Sequence, residues 1–417
     1  MLAAIVAFSF CTKLPRLGTP SDFYFDETYH GFTAVSYLHG EAAAYDPWAK
    51  NPPHRAYEWT HPPLAKLIMA GTMAVTGEDA FGWRLGSVVF GTGAIAMTAL
   101  LALELFGSQA VALLAAFFLS IEGLAFAQSR IAMNDAYFLF FALSTFFFYV
   151  RWRKTPVLRD LYATGAFLGL ALATKWTALY VIVILAVDLF KWRFWDSGRK
   201  EPVSPVHVGL ALLALPVALY LASYIQFFMT WDKPGAFDRF ITLQQQMWWY
   251  HSGLKATHPY QSKPWQWIFN LRPVWMFAAP GANGTSANIY NDGNSVILIG
   301  GLIAFCSTLF REKAMPAASW SRGFLLFSYC MLWMPWIFSP RIMLFYHYLP
   351  AVPLLCILLA RKLVIGVERS PREGKRLLVG TVAASVVWFV VFYPNLTGIF
   401  VPNGLVENVY RLLPGWR

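Results

Sequence analysis

Charge is what this chain has least of. Asp, Glu, Lys and Arg make up 13% of its 417 residues, about half the share usual in soluble domains. An ordinary water-solvated fold is therefore excluded. Cysteine is scarce too: Cys11, Cys306, Cys330 and Cys356 each fall inside an apolar segment, with no Cys-x-x-Cys pair and no Cys/His ligand spacing. Neither a disulfide framework nor a zinc site is indicated. Walker loops and dinucleotide fingerprints are missing, which disfavours a nucleotide-driven pump. No internal repeat or low-complexity tract stands out.

Apolar runs stand where charge does not. Hydrophobic residues are 57% of the chain and the mean hydropathy is +0.48. Many runs approach the roughly 20 residues needed to cross a bilayer, so the chain reads as an all-α polytopic membrane protein. Aromatics at 17%, with 18 Trp, suit large interfacial surfaces. The net charge of +11 is no nucleic-acid signal, because the basic residues are scattered through short inter-helix loops. Residues 1–11 are apolar but short, and no small-residue cleavage site follows. They are expected to be a first, short transmembrane helix rather than a signal peptide.

Further spans are expected at about 83–106, 110–127, 131–151, 160–174, 176–194, 205–228, 294–310, 323–339, 342–361 and 376–398, making eleven. The junction at Lys175 is tight. Residues 64–76 are better suited to the interface or to re-entry than to spanning. Four basic clusters then fall on one side: Arg151, Arg153, Lys154 and Arg159; Lys191, Arg193, Arg199 and Lys200; Arg311, Lys313 and Arg322; and Arg361, Lys362, Arg369, Arg372, Lys375 and Arg376. Positive-inside makes that side cytoplasmic. A single membrane domain, 1–417, is expected, with a first loop (about 17–82), a late loop (about 229–292) and the tail (about 399–417) all on the outer face. Trp231, Trp248, Trp249, Trp265, Trp267 and Trp275 are expected to float the late loop at the interface.

An acid pair, Asp26-Glu27, sits in the first loop within Phe-Tyr-Phe-Asp-Glu-Thr-Tyr-His, and Glu-Trp-Thr-His-Pro-Pro-Leu-Ala-Lys (58–66) follows. Carboxylates at a membrane are costly unless paired or functional. Consecutive residues point apart, so these two cannot flank a sugar as a glycoside hydrolase pair does. One suits a general base and the other orients a partner. Arg84, Arg130, Lys175 and Arg341, together with Asp135, lie towards the same outer side. Their partner is either a carboxylate or a phosphate, since arginine's planar fork fits both. His61, His251, His258 and His347 share that side without a compact metal spacing. His347, near Arg341, is the strongest functional candidate among them.

Taken in order, these residues resemble the protein O-mannosyltransferase family, in particular its bacterial branch, within the GT-C glycosyltransferases. The resemblance runs through Phe25-Asp26-Glu27 with His30, His61-Pro62-Pro63-Leu64-Ala65-Lys66, and Ser129-Arg130-Ile131 leading to Asp135. It continues through Lys175-Trp176, Thr257-His258-Pro259-Tyr260-Gln261-Ser262 with Pro264-Trp265, Arg272-Pro273 and Tyr346-His347-Tyr348. It implies a GT-C fold of about eleven helices, with interfacial helices in the first and late outer loops. The implied activity is inverting transfer of a sugar, mannose above all, from a polyprenyl phosphate to Ser/Thr hydroxyls of translocated proteins met at the secretion machinery. Asp26 would be the base, with Glu27 beside it. Arg84, Arg130, Lys175 and Arg341 would hold the donor phosphate and lipid, supported by His61, Asp135, His258 and His347.

A lipid phosphate is itself a leaving group, so no nucleotide or metal is required and no nucleic-acid partner is implied. The setting implied is the bacterial plasma membrane, with the site on the outer face. The late loop is too short for the soluble MIR domain of eukaryotic members, and Ala65 replaces a Gly common in the family motif. Two other readings compete. One is the same chemistry on a lipid or cell-wall glycan, as in aminoarabinose transferases of lipid A, against which His258–Ser262 and Pro264-Trp265 speak. The other is a transporter, disfavoured because the charges gather at one end and no repeat is visible.

Overall fold

The computed structural model describes residues 1–194, 204–231, 234–310 and 319–416. Arg199, Lys200, Arg311 and Lys313 lie outside the described residues. The chain is a bundle of helices: α1 (Leu2–Lys13), α2 (His30–Leu38), α3 (Leu64–Thr76), α4 (Ala80–Phe106), α5 (Gln109–Ser120), α6 (Gly123–Gln128), α7 (Asp135–Lys154), α8 (Leu158–Leu172) and α9 (Ala178–Phe194) come first. Pro205–Thr230, Ala236–Gly253, Ser295–Phe310, Ser319–Trp333, Val352–Arg369 and Pro371–Thr397 follow.

Local sequence sets the helix limits. Asp79 caps α4 by accepting from the Gly82 N–H at 2.9 Å, and Gly107 ends it in the left-handed region at φ 66°, which costs glycine little. Close helix contacts use missing side chains, as is usual in membranes. A Cβ on Gly91 of α4 would lie 2.0 Å from Ser129 Oγ, and one on Gly165 of α8 would lie 1.7 Å from the Ala211 carbonyl.

A helix occupies every position where a span is expected, but the count of eleven spans is not established. Among the described residues, four helices are long and apolar enough to cross a membrane: Ala80–Phe106, Pro205–Thr230, Phe345–Arg369 and Pro371–Thr397. Leu2–Lys13, Leu64–Thr76, Gln109–Ser120 and Ser295–Phe310 are apolar but shorter, and polar groups divide some of the apolar runs. Within the expected span 110–127, the Glu122 carboxylate accepts from Ala125 N at 2.8 Å and from Asn294 N at 3.0 Å, separating α5 from α6.

The loops at the Asp26 end meet one another. β1 (Val274–Pro280) and β2 (Thr285–Asn291) form an antiparallel hairpin with a bulge between Trp275 and Phe277. The C-terminal tail adds β3 (Val401–Pro402) to β2. This small sheet has no counterpart in the all-helical expectation, because its strands are too short and irregular for a clear period-2 pattern. Trp267 also departs from its expected interfacial place. It is 1% exposed and its indole donates to Ser262 Oγ at 2.8 Å.

Candidate active site

Phe25 adopts φ +51°, an uncommon conformation for a residue with a side chain and one that marks functional turns. Its ring is held edge-on by His258 at 6.4 Å and by Tyr346 at 6.3 Å. The short helical turn Phe25–Thr28 follows, and within it the two acids part company.

Glu27 is 0% exposed and grips Arg84 in a two-pronged pair, with both N–H···O distances 2.8 Å. Its carboxylate also accepts from Ala132 N at 2.9 Å and Tyr24 N at 3.3 Å. Arg84 spends its remaining donors on the carbonyls of Leu17, Pro20 and Asp22, at 2.8, 2.7 and 3.1 Å. A guanidinium has five N–H groups, and all five are used. Arg84 therefore has no donor left for a phosphate, and Glu27 none of its charge free for a substrate. The pair pins the first loop to α4, with Glu27 holding a partner as the second acid was expected to and Arg84 keeping no free N–H for the donor phosphate in this structure. Arg130 is likewise buried, donating to the Lys13 carbonyl beneath the Phe126 ring, and it does not line the cavity described next.

The stretch 58–66 is closed by another buried pair. Lys66, 0% exposed, donates to the Glu58 carboxylate, to the Glu58 carbonyl at 2.8 Å and to the His61 carbonyl at 3.0 Å. An ammonium has three N–H groups, so this one is also saturated. The pair fixes the loop that carries Thr60 and His61.

Beside these saturated pairs lies a cavity of about 400 Å³ whose polar lining includes Lys175, Asp135, Arg341, His61, His251 and Tyr346. Lys175 donates to Asp135 at 2.9 Å, and its other N–H groups have no hydrogen-bond partner among the described residues. Arg341 donates to His251 Nδ1. His251 Nε2 and His61 Nδ1 both lie against the Thr60 carbonyl, at 2.8 and 2.9 Å, so each donates there, and His251, whose Nδ1 accepts from Arg341, is neutral. The two rings stack at 5.0 Å and 7°, and His30 continues the stack at 5.9 Å. Burial pushes the His61 imidazole well below its usual range and that of His251 down to about 4.

Asp26 meets this cavity through Tyr346, whose hydroxyl donates to Asp26 Oδ2 at 3.1 Å. Burial pushes the Asp26 carboxyl up to about 7; the Tyr346 hydrogen bond and Lys175 oppose that rise, while Asp135 and Glu58 reinforce it. A carboxylate poised near neutrality suits general-base work. His347 also lines the cavity, stacked on Tyr346 at 4.8 Å with its Nδ1 on the Leu344 carbonyl at 2.9 Å. His258 stays outside the cavity lining, partly exposed beside Phe25.

Of the expected site residues, the structure thus brings together Asp26, Asp135, Lys175, Arg341, His61 and His347. It sets Glu27, Arg84 and Arg130 apart in the scaffold. Sequence reasoning gave no site role to Tyr346, His251 or His30. His30 and Tyr346 stood in the motifs that carry the family resemblance, but Tyr346 lies 320 residues from Asp26 and the Thr60–His251 contact spans 191, so no spacing shows that they meet.

An acid-bearing loop thus meets a cationic cavity at one end of the helical bundle, and comparison with known proteins gives that arrangement its class, a membrane glycosyltransferase. The Saccharomyces cerevisiae protein O-mannosyltransferase Pmt1-Pmt2 complex bound to the sugar donor superposes with a TM-score of 0.82 at 16% identity, over 99% of this chain and 92% of that one. ArnT from Cupriavidus metallidurans bound to undecaprenyl phosphate gives 0.63 at 12% identity, over 95% and 76%. At these identities both are likenesses of fold. The chain belongs to the dolichyl-phosphate-mannose–protein mannosyltransferase family: that family's model matches residues 3–231, and a model of the C-terminal four-transmembrane region of protein-O-mannosyltransferase matches 236–416. It is 25% identical to the polyprenol-phosphate-mannose–protein mannosyltransferase of Mycobacterium tuberculosis, across 100% of this chain and 90% of the relative. The same-named protein of Corynebacterium glutamicum is 26% identical, across 86% and 81%.

Proposed function

We propose that this integral membrane protein transfers mannose from a polyprenyl-phosphate carrier to Ser/Thr hydroxyls of proteins, with Asp26 as general base. The observation that carries the reading is the Tyr346–Asp26 hydrogen bond. It ties the base to the wall of the cavity that holds Lys175 and Arg341.

The chemistry balances without an added reactant. Asp26 takes the proton of the acceptor hydroxyl as that oxygen bonds to the sugar's anomeric carbon. The bond from that carbon to the phosphate oxygen breaks, and its electron pair leaves on the lipid phosphate. One displacement inverts the centre. Lys175 and Arg341 stabilise the charge growing on the phosphate in a cavity of low polarity, where fixed cations act most strongly. Arg84 has no part in that contact, and Glu27 acts by holding the loop. The neutral histidine stack packs and orients the phosphate without adding charge.

The donor and acceptor follow the names of the relatives. Basic residues at the opposite ends of the helices support an outer-face site on the bacterial plasma membrane, where acceptors emerge from the secretion machinery. The weaker superposition on ArnT, beside two matching protein-mannosyltransferase models, favours a protein acceptor over a lipid or glycan.

The test is reconstitution of the purified protein with polyprenyl-phosphate mannose and a Ser/Thr peptide, read as a hexose mass increment. Asp26→Asn is expected to lower turnover by about 10²–10⁴-fold while retaining donor binding. Full turnover by that variant sinks the assignment of the base. No hexose on any peptide, together with hexose on an added lipid or glycan, moves the acceptor class.

A further inference from the structure

We propose that Tyr346 is a positioning residue for the transfer: its hydroxyl fixes the Asp26 carboxylate with one oxygen engaged and the other turned to the acceptor. This rests on Asp26 being the base. Oδ2 accepts from Tyr346 at 3.1 Å, whereas Oδ1 has no hydrogen-bond partner among the described residues. A phenol has an ordinary pKa near 10 and keeps its proton at working pH, so it only donates to a carboxylate. That bond favours the ionised, proton-accepting form.

The hydroxyl is rigidly presented. Tyr346 lies in the short helical turn Phe345–Ala351, where Phe345 and Tyr348 are 0% exposed. Tyr348 OH meets Tyr329 OH at 2.6 Å. The Tyr346 ring stacks on His347 at 4.8 Å, meets Phe25 edge-on, and has Lys175 Nζ 5.7 Å from its centroid. One face of the ring therefore sits beside the cation of the donor cavity while its hydroxyl sits on the base. A side chain so placed sets the distance between the proton acceptor and the leaving group, which is what near-attack geometry requires.

Other groups act on Asp26 only through space. Asp135 of α7 and Glu58 of the first loop disfavour its charge, and Lys175 of the α8–α9 connection favours it. Tyr250 faces it from the Ala236–Gly253 helix. His30 of α2 is buried neutral, burial pushing it down to about 4. Glu27 is neutralised by Arg84. Lys175 divides its charge with Asp135, so Tyr346 is the single hydrogen-bond donor to this carboxylate among the described residues.

Removal of the hydroxyl raises the Asp26 pKa, so the acidic limb of kcat moves to higher pH. A hydrogen bond to a charged group corresponds to a shift of about one to two pH units. Tyr346→Phe is to be assayed from about pH 5.5 to 9 with polyprenyl-phosphate mannose and a Ser/Thr peptide, alongside the parent and Asp26→Asn. The expected result is a loss of kcat of tenfold or more below neutrality that narrows at high pH, with donor KM nearly unchanged. Incorporating 3-fluorotyrosine at position 346 strengthens the donor without altering shape, and is expected to move the limb the other way. A pH profile unshifted in both proteins, or a uniform loss at every pH, overturns the proposal. Full activity in Asp26→Asn would instead show that the base itself is misassigned.

Discussion

Glu27–Arg84 and Asp135–Lys175 are both buried carboxylate–cation pairs, held at 2.8 and 2.9 Å, yet they belong to different kinds of region. Arg84, on α4, has all five donors occupied and is 1% exposed. Lys175 makes one hydrogen bond among the described residues and faces a cavity. The first pair is closed and the second is open. Distance and burial do not separate these two pairs; the count of unused donors among the described residues does.

The largest expected effect comes from breaking the closed pair. Arg84→Met leaves Glu27 charged and unpaired in the interior, and such losses cost about 3–5 kcal/mol. The expected outcome is a strong fall in thermal midpoint and in yield of folded protein. A variant that melts like the parent but loses donor binding would return Arg84 to the cavity.

Opening the comparison from the other side, Lys175→Met combined with Asp135→Asn removes the second pair without stranding a buried carboxylate, so the fold should stay largely intact while the donor contact weakens. Donor affinity is expected to fall about 10–100-fold, as for loss of a charge-assisted contact, measured by titration with polyprenyl phosphate. An unchanged affinity would place the phosphate elsewhere.

Protonation gives a third contrast. The Asp26 carboxyl is pushed up to about 7 by burial, so the folded state binds a proton there that the unfolded chain does not hold between about pH 4 and 7. With Asp26 as the proposed base, its carboxylate form is lost as pH falls through 7, so kcat should drop on that limb. The sign for stability is opposite. This one group favours folding more as pH falls from 7 towards 4, and Asp26→Asn should remove that component from the pH dependence of melting.

The smallest effect is expected at the mouth of the cavity. Arg341→Gln keeps a donor for His251 and removes one cation, so donor KM should rise by several-fold with little change in melting. A loss as large as that of Lys175→Met with Asp135→Asn would make Arg341 an equal phosphate ligand.

Much was legible in the chain itself. Apolar runs located the helices, because burial in lipid demands continuous non-polar length whatever the neighbours. The short turn chemistry of 23–30 and 58–66 marked the reactive loops, since carboxylates and cations beside a membrane need partners. Residue types alone could not say which partners. Asp26 and Glu27 are adjacent and chemically alike, and only the fold turns one towards Tyr346 and seals the other on Arg84, 57 residues away. The same holds for the cations. Arg84, Arg130 and Lys175 look equivalent in sequence, and what distinguishes them is how many of their N–H groups the folded backbone has already claimed. The chain by itself determined where charge could be tolerated. Tertiary structure decided which charges were left unspent, because hydrogen-bond saturation depends on groups brought together from distant segments.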